Sequence, residues 1–228
     1  KQVQKDLGEF HISSDIGCHS FATLAPFNLG NTIMGYGLSL ASSSSIRTAL
    51  PHKAISIMGD GGFWHNGLTS GVTSAVFNKH DGVLIIVNNG YAAATGGQDI
   101  PSLVQPNRLI ATTMDTDKAS RLDQQSIDEA CRGAGVKWIR TVSTYSIDKM
   151  KATLREALTT GEPGLKVIIA EGECMLNRQR RIKPLIKKSI NDGRRTVRSR
   201  FVIDAETCTG DHACIRLSGC PSLTIKPN

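Results

Sequence analysis

Aromatic residues are scarce, only 5% of the 228 residues, and Trp occurs twice. No run of eighteen apolar residues exists, which excludes a membrane-spanning helix of ordinary length. No secretory signal opens the chain, and Cys18, Cys131 and Cys174 stand alone without disulfide-framework spacing. A reduced, cytoplasmic setting is the expectation. Negative charge is also in short supply in one place. Residues 178–200 hold ten Lys/Arg and a single Asp, a local +9 against +7 overall, so the rest sums to −2. That segment reads as a solvated basic linker or an acidic-partner patch. Single-strand stacking is disfavoured because no aromatic residue interleaves with the cations. What is present is a 39% apolar fraction and 22 glycines, enough for a core and many tight turns. The chain begins Lys-Gln-Val-Gln and closes at Pro227-Asn228, inside an unfinished cysteine pattern, and reads as a fragment of a longer polypeptide.

The most informative stretch is Gly59-Asp60-Gly61, followed twenty-six residues later by Asn88-Asn89. Asp60 follows the apolar run Ala54–Met58, and the Asn pair follows the run Val83–Val87. Short apolar runs suit parallel strands buried on both faces. In such sheets ligands lie beyond the carboxyl ends of the strands, so both polar clusters point into one crevice. A hard cation such as Mg²⁺ takes one or two protein oxygens and completes its shell with phosphate and water. Glycines beside Asp60 admit close approach of backbone N–H groups to a phosphate. The spacing reads as a Mg²⁺-diphosphate site.

Alternation of strand and helix predicts a doubly wound, mainly parallel α/β sheet. Strands are expected at Glu9–Ser13, Ala54–Met58, Val83–Val87, Val136–Thr141 and Leu165–Ala170. Helices are expected at Leu29–Leu50, Leu68–Asn78, Ser126–Gly133 and Ile147–Leu158. Ser126 reads as an N-cap with Glu129 in the capping-box position. The Gly-, Ala-, Thr- and Pro-rich segment 90–108 reads as a long functional loop. The expected organisation is a cofactor-binding domain at 1–177, a basic linker at 178–204 and a cysteine-bearing piece at 205–228.

The Gly-Asp-Gly and Asn-Asn pair resembles the signature of thiamine diphosphate enzymes. Thr95-Gly96-Gly97-Gln98, Asp15-Ile16-Gly17-Cys18 and Phe63-Trp64-His65-Asn66-Gly67 narrow the likeness to the 2-oxoacid:ferredoxin oxidoreductases, within them to the indolepyruvate type. In those relatives the position of Trp64 is more often Phe, and a shorter acidic-Asn pair often stands at Asn88-Asn89. The resemblance implies thiamine diphosphate and Mg²⁺, with Asp60, Asn89 and the carbonyl of Tyr91 on the metal. It places Gly59, Gly61, Gly62, Phe63, Thr95 and Gly96 beside the cofactor. Cys18, His19 and His65 are the catalytic candidates. His65 would orient the substrate carboxylate or move a proton. The cofactor supplies carbanion stabilisation, and the protein supplies orientation and electrostatics. The implied reaction is oxidative decarboxylation of an aryl-pyruvate-type 2-oxoacid to the acyl-CoA, with CoA as co-substrate and electrons passing to ferredoxin. A pyrimidine-binding half must come from elsewhere in the polypeptide or from a partner subunit, so an oligomer is expected. The rival readings are a non-oxidative thiamine diphosphate decarboxylase or carboligase, and a partner- or nucleic-acid-binding module using the basic segment.

Cys208, Cys214 and Cys220-Pro221 form the second signal. Ferredoxin modules space cysteines C-x2-C-x2-C before a further Cys-Pro that serves the other cluster. Cys208 and Cys214 fit the first and third positions, with Asp211 where the second Cys is expected. An iron–sulfur site, 4Fe-4S in the native protein, is the primary reading. A zinc site and a lost site are the alternatives, although the six-residue Cys208–Cys214 interval does not match zinc spacing.

Overall fold

The computed structural model describes residues 2–46, 49, 52–93, 96–98, 100–102, 125–197, 202–204 and 206–216. Helix α1 (Gln2–Leu7) leads to β1 (Ile12–Ser14), a 3-10 turn (Cys18–Thr23), β2 (Thr32–Ile33) and α2 (Ser39–Ile46). Then come β3 (Ile55–Gly59), α3 (Asp60–Gly62), a π-helical stretch (Phe63–Thr73) and α4 (Ser74–Phe77), which run on without a break. β4 (Val83–Asn88), α5 (Ile127–Gly133), β5 (Trp138–Ser143), α6 (Ile147–Thr159) and β6 (Lys166–Glu171) complete the sheet region. α7 (Met175–Asn191) and α8 (Ala213–Arg216) follow.

The six strands lie in the order β2-β1-β3-β4-β6-β5, every pair parallel. Successive side chains on a strand point to opposite faces. Leu84, Ile86, Val167 and Ile169 therefore enter one apolar cluster with Leu40, Phe63, Val72, Ile127 and Cys131. Val83 and Ile168 enter the other with Val3, Phe10, Trp138, Ala157 and Leu158. Helices cover both faces, which is why the strand sequences read as unbroken apolar runs. The expected doubly wound α/β class is what the structure has.

Several expected boundaries move. Leu29–Leu50 is not one helix: β2 takes Thr32–Ile33 and the helix proper is Ser39–Ile46. The helix placed at Leu68–Asn78 begins at Asp60 itself, so the glycines after Asp60 form its first turn rather than a loop. The fourth predicted strand starts at Trp138, not Val136, because the Val136 amide still donates to the Cys131 carbonyl at the end of α5. The first starts at Ile12, not Glu9. Ser126 caps α5 as expected, its hydroxyl accepting from the Glu129 amide at 3.3 Å. The basic segment is helical over its first half. Residues 178–191 are helical within α7, and Pro184 lies inside that helix. No helix among the described residues is long and apolar enough to cross a membrane.

Candidate cofactor site at the strand ends

β1 connects to β2 on one side of the sheet, while β3 lies on the other side of β1. The chain thus reverses its winding between β1 and β3, the topological switch point where parallel α/β sheets bind ligands. A pocket of about 70 Å³ opens there. Its lining includes Cys18 and His19 after β1, Gly59–Gly62 after β3, and Asn89 and Tyr91 after β4. Tyr36 completes the wall. A larger groove, about 610 Å³, lies around Lys79, His80 and Asp81, the segment that leads into β4. It lies at the start of β4, the opposite end of the strand from Asn88, and shares no lining residue with the pocket.

Asp60 is the centre of the pocket. It is 2% exposed. Its Oδ2 accepts from the amides of Asn89 (2.8 Å) and Gly90 (2.7 Å), and its Oδ1 accepts from the Gly61 amide at 2.8 Å. Burial pushes its carboxyl above the ordinary range, against the pull of those backbone donors. No Lys, Arg or His pairs with it among the described residues. A buried carboxylate without a counter-ion is costly. It is the arrangement a bound cation would complete.

Asn88 and Asn89 part company. Asn88 turns to Glu171 on the neighbouring β6, at 3.4 Å. The Asn89 side-chain oxygen accepts from the Tyr91 amide at 3.0 Å and stays at the crevice. An amide or carboxylate oxygen has two lone pairs. Oδ1 of Asp60 and Oδ1 of Asn89 each accept one hydrogen bond and keep one pair for a further ligand, whereas Oδ2 of Asp60 is fully used. The residues therefore fit a hard cation held by one carboxylate and neutral oxygens, with anionic ligand groups completing the shell. A cluster of three or more His, Cys, Asp or Glu is not found among the described residues, and a site of this composition does not require one.

Other expected residues separate by position. Gly61 and Gly62 are buried in the first turn of α3, directly on the pocket wall. Phe63 is not a crevice residue: it is wholly buried in the core against Trp64, and its amide is spent on the Asp60 carbonyl. Trp64 also leans on the core, its indole N–H donating to Ser102 at 3.0 Å. His65 is exposed and does not line the pocket, but its ring lies 5.3 Å from that of Tyr36. Cys18 and His19 do line the pocket, as expected. Gly96 and Gly97 have φ of +104° and +98°, and a Cβ on Gly97 would overlap the Tyr91 hydroxyl. The loop can double back over Tyr91 only with glycine there. Thr95 lies outside the described residues.

Two contributors carried no sequence signal strong enough to name them as site residues. Asp15, fully buried, accepts from the Gly37 amide at 2.9 Å with Oδ2, and its Oδ1 sits 2.6 Å from His19 Nε2, a close contact rather than an aligned hydrogen bond. Its place at the end of β1 mirrors that of Asp60 after β3, which is the clue available from sequence. The other is Tyr36, set between two glycines. Arg180, on α7, donates to the Tyr91 hydroxyl at 3.0 Å, so the basic helix touches the rim of the same site.

At the far end of the chain Cys208 and Cys214 are exposed, and Asp211 Oδ1 accepts from Thr209 and the Ala213 amide, both 3.1 Å. The Ala213 amide foremost, then Thr209, holds the Asp211 carboxyl below its ordinary range. Cys220 lies outside the described residues.

Fold and site together define a class: a parallel α/β cofactor domain whose switch-point crevice is organised by one buried carboxylate. Residues 15–169 match the family model described as thiamine pyrophosphate enzyme, C-terminal TPP binding domain. The chain belongs to that family. Indolepyruvate oxidoreductase subunit IorA of Methanothermobacter thermautotrophicus is 27% identical over 219 residues, 96% of this chain and 31% of that protein. Its namesake in Archaeoglobus fulgidus is 28% identical over 245 residues, 100% of this chain and 37% of that protein. The chain thus spans about a third of the length of these relatives. Among solved structures, the 2-oxoglutarate:ferredoxin oxidoreductase of Magnetococcus marinus superposes with a TM-score of 0.61 at 14% identity, over 76% of this chain and 59% of that one. That likeness concerns the fold.

Proposed function

We propose that this chain is the thiamine diphosphate- and Mg²⁺-binding region of a 2-oxoacid:ferredoxin oxidoreductase of the indolepyruvate type. The observation that carries the reading is Asp60: buried, gripped by three backbone amides, without a cationic partner among the described residues, and placed at the switch point. Asp60, Asn89 and the Tyr91 carbonyl would hold the metal, and Gly61 and Gly62 would face the diphosphate. When bound, the cofactor supplies stabilisation of the carbanion left after decarboxylation. The protein's part is to fix the anionic end, with Cys18 and His19 also lining the pocket. The pocket's 70 Å³ is far below the roughly 300–1,000 Å³ of a complete small-molecule site. One end of a ligand fits it, in keeping with a second half of the site contributed by another domain or by a partner subunit.

The whole enzyme would convert an aryl-pyruvate and CoA to the acyl-CoA and CO₂, passing two electrons through iron–sulfur clusters to ferredoxin. Residues 1–177 would form the cofactor domain, 178–204 the basic connection and 205–228 the start of a cluster-binding segment using Cys208, Asp211, Cys214 and Cys220. The test is ferredoxin reduction by the assembled enzyme with indolepyruvate. Reduction that requires both CoA and thiamine diphosphate is expected. CO₂ release without CoA or electron transfer would instead identify a non-oxidative decarboxylase.

A further inference from the structure

Tyr36 is the one aromatic hydroxyl in the crevice to which the site as read so far gives no task. It lies in the turn between β2 and α2, and the next residue, Gly37, is tied to the buried Asp15 by its amide. The His65 ring props the phenol from one side at 5.3 Å. From the other, Gly61 makes room for it: a Cβ there would overlap the Tyr36 hydroxyl. The hydroxyl therefore sits over the first turn of α3, on the pocket wall beside Asp60. It makes no hydrogen bond to any described residue, although the ring is half-buried. A phenol ionises near pH 10, so the hydroxyl is an O–H donor at physiological pH.

We propose that Tyr36 is a ligand-binding residue whose phenolic O–H donates to an anionic oxygen of the bound ligand in the switch-point crevice. This rests on the cofactor reading above. A donor beside a metal-binding carboxylate meets its natural acceptor in whatever anion that metal recruits. Two sources supply such an oxygen: the cofactor's diphosphate and the carboxylate of the 2-oxoacid.

The experiment compares the wild-type chain with Tyr36→Phe, which removes one oxygen and leaves the ring against His65. Calorimetric titration with Mg²⁺ and thiamine diphosphate, without oxoacid, is the first arm. A loss of affinity of at least about tenfold, the order for one hydrogen bond to a charged group, with unchanged melting temperature of the unliganded chain, assigns the acceptor to the diphosphate. The second arm measures KM for indolepyruvate in the assembled enzyme. Equal cofactor affinity with a several-fold higher KM assigns the acceptor to the oxoacid carboxylate. If both are unchanged, Tyr36 binds no anion and the inference is overturned. A wild-type chain and assembled enzyme that take up no Mg²⁺-thiamine diphosphate would overturn the cofactor reading, and this inference with it, whereas wild-type binding with an unaffected variant in both arms overturns this inference alone.

Discussion

Asp60→Asn separates the role of this carboxylate in binding from its role in the fold. The substitution keeps the side-chain shape. Its amide oxygen can take the place of Oδ2 and accept from the Asn89 and Gly90 amides, while its NH₂ opposes the Gly61 amide. The variant therefore leaves the buried Gly61 amide without its acceptor, a cost of about 1–3 kcal/mol. It also relieves the burial of an uncompensated charge, the cause that pushes the Asp60 carboxyl upward. The two effects oppose each other, so the unliganded melting temperature should change little. Ligand linkage is another matter. At a free cofactor concentration of about 100 Kd, binding stabilises the wild-type chain by about 2.7 kcal/mol. At roughly 2–4 °C per kcal/mol for a chain of this size, that is a rise of about 5–11 °C. The assay is thermal unfolding with and without Mg²⁺ and thiamine diphosphate. The wild type should show the rise and Asp60→Asn should not. An equal rise in both would refute the claim that Asp60 anchors the metal.

Asn89→Leu should lower cofactor affinity at least tenfold in the same titration while far-UV circular dichroism stays unchanged, because Asn89 donates to Asp60 through its backbone and only its side-chain oxygen is lost. Cys131 is fully buried and its thiol is pushed up to about 12 by burial and by Asp128. It should resist iodoacetamide at pH 8 in the native chain, whereas exposed Cys18, Cys208 and Cys214 react, as read by mass spectrometry. The raised thiol carries a sign as well: the unfolded state loses this proton from about pH 9 and the native state does not, so Cys131 erodes stability as pH climbs from 9 toward 12 and has no effect below. Anaerobic reconstitution of residues 1–228 should give at most a labile iron–sulfur chromophore, because Cys208, Asp211 and Cys214 supply three ligands and Cys220-Pro221 has the pattern of a second cluster. A stable four-iron EPR signal would contradict that division of ligands.

The parts of the fold legible in the sequence are those where one interaction dominates. β3, β4 and β6 are buried on both faces, so their apolar runs announced them. β2 has two residues, one of them exposed, and offers no run to detect. α3 begins Asp-Gly-Gly, poor helix formers. It is held by the continuous π- and α-helical turns behind it and by the packing of Phe63 and Val72. That Asp60 and Asn89 meet at one crevice was readable because each directly follows a strand of one sheet. Phe63 was misplaced because it adjoins the pocket-lining Gly62 in sequence, and one residue further round the helix its side chain turns to the core. Tyr36 and Asp15 lie far from the Asp60 motif in sequence and reach it only through the chain reversal between β1 and β3.

The most direct test of the central claim is a crystal structure of this chain grown with Mg²⁺ and thiamine diphosphate. The account predicts a metal bound by Asp60 Oδ1, Asn89 Oδ1 and the Tyr91 carbonyl, with the diphosphate completing its shell over the first turn of α3. Diphosphate density elsewhere, or a metal that leaves Asp60 without a cation, would contradict it.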